Sequence, residues 1–552
     1  MFRRIAGLLA VLCILLPGTR TQVAACTTIM AGRQATADGS VLMSSSCDGD
    51  RMGYIYLVPA REYASGERVA MSRNGRDVVG YLPPLERTYR CIILGHGALG
   101  GMNEHGVSIG IEYIPMRAGL ASTNGLVSPY SNHWTTSLIA NGLMRAKTAR
   151  EAVRLIGAMV EQHGFLYTWA PLAGVALPIA DRNEIWLLEI FGPEENWTPE
   201  SGTPGGVWCA QRVRDDAVGV SANRSRIGRV DLENRDHFMA SPNLFTLAKR
   251  LGFWNEKEPF VWSEVYGGAG SRGNVLREWR ALSLAAPSKN LAATGNPNTD
   301  RYPFSVQPDR PVTVETLIDW MRDGYEGTDF DITAHPAFHV DGNKSPLART
   351  SGPRELFDLL DIAPERTINT PASTYVFVAQ ARAGLPAGIG NQIWFAYGPA
   401  HTSCFVPIYP AVSELPASWV RPPNFARIDR RQVQWNFRLV SNLANQLRYQ
   451  DVIQDVRQVI EPAEAAFRNA QRDVDIAALH VFQREGHTGL ERFLTEYVHG
   501  CLTEVETAYR DLVDYLMFQY LYDRAAIAPA ELPTIGRPVI PGPGEKSETS
   551  GP

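Results

Sequence analysis

Ala25-Cys26-Thr27-Thr28-Ile29-Met30-Ala31-Gly32, followed by Ala37-Asp38-Gly39-Ser40, is the stretch on which the reading of this chain turns. Residues 26–31 are rich in β-formers, Asp38-Gly39 is a turn signature, and Ser40 to Ser46 resumes extended. The spacing predicts a hairpin that begins at Cys26. What precedes it predicts that this hairpin opens the mature protein. Arg3 and Arg4 form a charged end, Ile5 to Leu16 is apolar throughout, and Pro17-Gly18 breaks the run. Val23, Ala24 and Ala25 suit a signal peptidase, so residues 1–25 read as an export signal and cleavage would leave Cys26 first. The apolar run is shorter than the roughly 20 residues that cross a bilayer, and no second run of that length follows. A soluble periplasmic or extracellular protein is expected.

A cysteine at a chain start carries its own base. The α-amine titrates at roughly 7.7–8.0, so near neutrality a useful fraction can take the thiol proton, giving nucleophile and base in one residue. Two plainer readings stand beside this one. Cys26 can be a buried apolar cysteine, the common fate of the residue type, or a lipid-attachment site, because Val23-Ala24-Ala25-Cys26 also fits a lipobox. Against the anchor, Gly18 to Val23, with Arg20, separate Pro17 from Ala24-Ala25, whereas a lipobox abuts the apolar run. The readings also exclude each other, since a lipidated cysteine has neither a free thiol nor, commonly, a free amine.

The 552 residues are 45% hydrophobic and 20% charged, enough apolar content for a large core. With 53 Lys+Arg against 58 Asp+Glu the net charge is -5, without the basic surplus of a phosphate-backbone binder, so nucleic acid is not an expected partner. Beyond residue 25 the cysteines are Cys26, Cys47, Cys91, Cys209, Cys404 and Cys501, scattered without zinc-type spacing. Short strands are predicted at Tyr54–Val58, Cys91–Leu94, Val107–Tyr113, Val175–Ala180 and Ile185–Ile190, with a helical block over Thr136–Gln162 in which Thr148 and Glu151 have capping-box spacing. A helix is predicted over Val275–Leu284, then strands at Tyr375–Ala381, Ile393–Tyr397 and Ser403–Tyr409, and an almost wholly helical block over 429–524. The final residues 531–552, rich in Pro, Gly, Ser and Glu, are expected to form a disordered tail.

The run from Ala25 to Gly32 with Ala37-Asp-Gly-Ser, ending at Asp48, resembles the secreted dipeptidase family of N-terminal-nucleophile cysteine hydrolases, of dipeptidase A type. Gly101-Met-Asn-Glu-His-Gly-Val-Ser-Ile-Gly, Ser221-Ala-Asn-Arg-Ser-Arg-Ile, Met321-Arg-Asp-Gly-Tyr-Glu-Gly-Thr, Ile393-Trp-Phe-Ala-Tyr and Gln434-Trp-Asn-Phe-Arg look like further family blocks in order, extending the resemblance to nearly the whole mature chain. It implies an α+β, four-layer αββα sandwich over 26–530 with Cys26 starting a central strand, and hydrolysis of dipeptides with no metal or other cofactor. More distant relatives are penicillin V acylase and conjugated bile acid hydrolase. In those the second strand carries an Arg before the Asp, where this chain has Ser45.

The resemblance gives four further positions. Asp48 could hold the Cys26 ammonium or a substrate amino group, and its plain alternative is a solvated acid at a hairpin end. Asn223 and Arg226 match the family's asparagine and arginine near the nucleophile; an uncharged amide suits an oxyanion, the alternatives being a turn Asn and a surface Arg. Asn103 is a substrate-binding candidate whose Asn103-Glu-His-Gly context equally suits a conformational role.

Other motifs fail on context. Gly95-His-Gly-Ala-Leu-Gly100 spells a dinucleotide fingerprint, but Gly101 and Gly106 bracket a turn where a phosphate-binding helix should open. His335 and His339 have zinc-helix spacing, but Pro336 follows the first and no Glu sits at the general-base position. The aromatic run Tyr509–Tyr522 reads as a packed helix face. The sequence therefore predicts an exported cysteine dipeptidase acting through a thioester. The alternatives are an N-acyl amidase with the same machinery and, in a different class, a lipid-anchored binding protein without catalysis.

Overall fold

A computed structural model describes residues 26–49, 53–72, 74–167, 172–352, 354–521 and 531–542; the export signal expected at 1–25 lies outside them. The hairpin predicted at Cys26 is present as Thr28–Ala31 paired antiparallel with Val41–Asp48, Thr28 opposite Ser45. It lies inside a seven-stranded antiparallel sheet. Val218–Ser221 pairs the free side of Thr28–Ala31, and Ser373–Ala381 pairs the free side of Val41–Asp48. Strands Asn391–Tyr397 and Val406–Ile408 complete one flank and Ser305–Val306 the other.

A second, nine-stranded sheet is built around Ala173–Ala180, Ile185–Phe191 and Val207–Val213. Side chains of both sheets, among them Met30, Met43 and Phe377 from the first and Leu94, Met102 and Leu187 from the second, share one core. The sheets meet closely at Gly110, where an added Cβ would come within 2.9 Å of Ser45 Oγ and 3.1 Å of Pro178. Gly110 also splits the strand predicted over Val107–Tyr113 into Ser108–Ile109 and Glu112–Pro115.

Helices Leu138–Arg145 and Ala149–His163 cover the other face of the second sheet, burying Leu138, Val153 and Ile156 against Ile93, Val175 and Leu188. They replace the single predicted block because two caps interrupt it. Ser137 Oγ accepts the Ala140 N–H and Thr148 Oγ1 accepts that of Glu151, while the Glu151 carboxylate returns to Lys147 N. Helices Arg272–Ala285 and Val314–Met321 and the C-terminal helices share the core of the first sheet.

The C-terminal block is two helices, Val433–Gln446 and Tyr449–Leu521, the second interrupted at Gly486, whose φ of 65° leaves the helical region. The strand predicted over Ser403–Tyr409 shortens to Val406–Ile408 because this layer takes its backbone: Cys404 N donates to Tyr509 and Phe405 N to Glu464. The described part of the expected tail, 531–542, is packed, while 543–552 lie outside the described residues. Residues 531–542 run without helix or strand, but Leu532, Ile535 and Ile540 pack against the core and Gly536 N donates to Glu504. Gly95–Gly100 connects two paired strands, Cys91–Leu94 and Gly100–Asn103, so no helix opens there. His335 and His339 flank a short 3-10 turn.

Candidate active site

Cys26 enters the first sheet between two strands and is 4% exposed. Beside it Ser46 N donates to Thr27 O and Ser46 Oγ accepts from Thr27 N, so the main chain next to the nucleophile is held on both polar groups. Alternation along the strand points Cys26, Thr28 and Met30 toward the second sheet, together with Ser45 and Cys47 from the partner strand. Thr28 Oγ1 bonds Ser45 Oγ at 3.1 Å on that face. The Cys26 thiol is pushed well above its ordinary range, first by its hydrogen bond with Cys47, then by burial and the charge of Asp48; the Asp48 backbone N–H works the other way. Cys26 therefore rests as a neutral thiol, and a reaction must remove its proton in the step itself.

Asp48 is buried, not a solvated hairpin-end acid. Its carboxylate accepts from Ser373 Oγ at 2.8 Å and is paired with Arg366. Burial raises the carboxyl above the usual range more than Arg366, Ser373 and Arg277 lower it.

The cation at the main chain of Cys26 is one that the sequence does not announce. Arg277, on the Arg272–Ala285 helix and 1% exposed, donates through Nη1 to Cys26 O at 2.6 Å and Thr27 Oγ1 at 2.8 Å. Through Nη2 it reaches Ala222 O at 3.2 Å and Asn223 Oδ1 at 3.0 Å, and through Nε Gly273 O. Among the described residues every one of these bonds ends on an uncharged oxygen. Burial lowers Arg277 to about 10, which still leaves it protonated at neutral pH. Where the resemblance leads one to expect arginine, Ser45 packs directly under Gly110, whose added Cβ would come within 2.9 Å of Ser45 Oγ.

Asn223 stands just past the end of strand Val218–Ser221, with a left-handed φ of 63°. Arg277 can only donate, so it fixes Oδ1 on its side and leaves Nδ2 to donate to Tyr113 O at 2.9 Å. An amide has two such hydrogens, and among the described residues Tyr113 O takes one of them. The turn itself is clamped by Glu112, fully buried, whose Oε2 accepts from Ser221 Oγ at 2.5 Å and Asn223 N at 3.2 Å. Burial raises Glu112 to about 7.

Arg226 and Asn103 are not part of this group. Arg226 is buried but directed to Glu278 at 2.9 Å, Val220 O and Pro303 O. Its backbone N–H is taken by Glu189, which also accepts from Trp262 Nε1. It locks the loop after Asn223 and is a correction to the sequence reading. So is Asn103, whose Oδ1 accepts from His105 and Val107 and whose Nδ2 donates to Leu143 O and Ala146 O. With all its bonds on backbone, it ties a turn to a helix and has none left for substrate.

Aromatic rings surround the thiol. Tyr167 stacks on Tyr113 with centroids 6.5 Å apart and meets Tyr130 edge-on at 6.1 Å. The hydroxyls of Tyr130, Tyr167 and Tyr375 are all raised by burial and by their nearness to Cys26 and Cys47. No group of three or more His, Cys, Asp or Glu able to hold a metal ion occurs among the described residues, and no described helix is long and apolar enough to cross a membrane.

This geometry can be set beside known proteins. The chain is 27% identical over 406 residues to a probable dipeptidase of Salmonella dublin, covering 70% of this chain and 81% of the relative. It is 22% identical to dipeptidase A of Lactobacillus helveticus, covering 76% and 82%, and 25% identical to a dipeptidase of Bifidobacterium longum, covering 76% and 77%. Among solved structures, a mutant of conjugated bile acid hydrolase from Clostridium perfringens aligns at 12% identity and a TM-score of 0.19 over 30% of this chain and 47% of that one, which carries no argument. The family model of peptidase family C69 matches residues 120–462, more than half of the sequence, and the chain belongs to that family of peptide-bond hydrolases.

Proposed function

We propose that this protein is an exported dipeptidase whose nucleophile is Cys26, freed by removal of residues 1–25. The observation that carries the reading is the Arg277 fork: one buried guanidinium holds both the Cys26 main chain and the Asn223 amide, fixing nucleophile and oxyanion donor relative to each other. The Cys26 amine takes the thiol proton. The thiolate attacks the peptide carbonyl, and Asn223 Nδ2 with neighbouring backbone N–H groups receives the oxyanion, a donor of this kind being worth roughly 3 kcal/mol. The amine returns the proton to the leaving amino acid, and water then cleaves the thioester with the same amine as base.

Asp48, held by Ser373 and Arg366, is the anion for an ammonium, that of Cys26 or of the substrate. The tyrosines give the acyl side a largely apolar wall. Two face-packed sheets with helices on both outer sides support reading the core as the four-layer αββα arrangement. The charged, apolar and small-residue pattern of 1–25 supports export to the periplasm or beyond.

The test uses protein processed by its own host. A free amino-terminal Cys26 by mass, turnover of unblocked dipeptides, and a loss on the order of 10⁴-fold or more in Cys26→Ala are expected. Turnover confined to phenoxyacetyl and acyl-amino acid amides would assign the machinery to an acyl amidase, and a diacylglyceryl mass on Cys26 would remove the mechanism.

A further inference from the structure

Cys47 is a buried thiol that the proposed reaction leaves unused, and the strand register brings it to the nucleophile. Thr28 faces Ser45, Ile29 faces Ser44 and Met30 faces Met43. Extending that register by one pair sets Thr27 opposite Ser46, where the bond from Ser46 N to Thr27 O is made at 3.0 Å. One pair further sets Cys26 opposite Cys47.

Two facts about this pair follow from antiparallel geometry. Being two residues from Thr28 and Ser45, whose hydroxyls touch at 3.1 Å, both thiols lie on that same face of the sheet. Flanking the backbone-bonded Thr27–Ser46 pair, they fall at the place of a non-hydrogen-bonded pair, for which antiparallel strands hold Cα atoms roughly 4.5 Å apart. Disulfides need a Cα separation of about 4.4–6.8 Å. Both thiols are free, and at 4% and 6% exposed they are screened from a bulky disulfide, which leaves a small hydroperoxide as the fitting oxidant. The mutual hydrogen bond that raises Cys26 agrees with this proximity.

We propose that Cys26 and Cys47 close into a reversible disulfide on exposure to a hydroperoxide, switching hydrolysis off and shielding the nucleophile from irreversible oxidation. The loss of hydrolysis rests on Cys26 being the nucleophile; the bond itself does not. The Cys26 amine takes the thiol proton as the sulfur attacks the peroxide and breaks its O–O bond, and that proton passes to the departing oxygen, giving a sulfenic acid and one water or alcohol. The Cys47 thiolate then attacks the Cys26 sulfur and displaces hydroxide, which leaves as water with the thiol proton. The two thiols supply both electrons that reduce the peroxide. A small thiol reverses the bond by exchange. Without Cys47 the sulfenic acid has no adjacent thiol and proceeds to sulfinic and sulfonic acids.

The experiment treats reduced, processed full-length protein with hydrogen peroxide and reads both a non-reducing peptide map and dipeptide turnover. A linked pair of peptides containing Cys26 and Cys47, about 2 Da lighter than the sum of its reduced halves, is expected. Turnover should fall at least roughly tenfold and return with dithiothreitol. In Cys47→Ser, peroxide should leave Cys26 oxygenated and activity unrecoverable. Sulfinic or sulfonic Cys26 without a link in the wild type, or full recovery of Cys47→Ser, would overturn the proposal; the wild-type map decides even if that variant does not fold. A link formed in protein that never turned over dipeptides would instead strike the functional reading and leave the disulfide standing.

Discussion

Arg226 and Arg277 are both buried arginines, both contact the turn after strand Val218–Ser221, and they do opposite things. Arg226 is neutralised: Glu278 receives its Nη1 and shares itself with Arg224. Arg277, one residue before Glu278 on the same helix, meets only carbonyls, a hydroxyl and an amide oxygen among the described residues. A buried cation with no carboxylate hydrogen-bonded to it is costly for folding alone, and here its fork ends on Cys26 O and Asn223 Oδ1. A cation hydrogen-bonded to an acid is a lock; one hydrogen-bonded only to neutral oxygens is, in the proposed mechanism, an aligner of the groups it holds. Sequence alone points to Arg226 because it stands in the right motif. The proposed mechanism gives that role to Arg277 instead.

The comparison breaks first on stability. Replacing Arg226 by Gln should destabilise the fold by about 3 kcal/mol, the low end for a broken buried pair because Glu278 keeps Arg224. Denaturant unfolding measures this, and the folded fraction should retain its KM. A variant with normal stability and lost turnover would return Arg226 to the active site.

Arg277→Lys sharpens the other half. Lysine preserves the charge but cannot place two fork nitrogens on Cys26 O and Asn223 Oδ1 together. If alignment is what Arg277 supplies, kcat should fall about 10²-fold, near 2.7 kcal/mol, with KM little changed. Activity close to wild type would mean that charge alone suffices.

How much of this is legible in the sequence follows the same division. The hairpin at Cys26, most strands and the Arg272–Ala285 helix are readable because their signals are local: β-formers, turns, periodicity. Asn223 and Asp48 come into view as candidates because their motifs are contiguous with those elements. Arg277 is not, because it lies 251 residues from Cys26 and its importance arises only when the helix packs onto the sheet. Arg366 is hidden in the same way, 318 residues from Asp48. A weaker signal does exist for the clamping acids. Glu112 and Glu189 each interrupt an apolar strand, in Ser-Ile-Gly-Ile-Glu-Tyr-Ile and Trp-Leu-Leu-Glu-Ile-Phe, where a buried carboxylate must have partners.

Glu112 gives the smallest and finest test, because it acts on Asn223 only through backbone and through Ser221. Its folded carboxyl titrates at about 7 against an ordinary 4.5, mainly through burial. Between those values the unfolded chain has lost the proton while the fold retains it, so the unfolded state binds fewer protons and stability falls as pH rises from about 4.5 to 7. Above 7 both states are ionised and this contribution is level. Glu112→Gln keeps an acceptor and cannot ionise, so its stability should lack this slope while its kcat at pH 8 drops by roughly fivefold, about the worth of one hydrogen bond. Melting temperatures of the two proteins across pH 4.5–8 should therefore differ in slope below 7 and run parallel above it. Parallel curves throughout would mean that Glu112 does not titrate in this window; a loss confined to KM would mean that the clamp serves substrate and not the oxyanion. If instead kcat falls with the pH slope abolished, Asn223 depends on two different supports, a neutral-facing arginine on its side chain and an ionisable acid on its backbone.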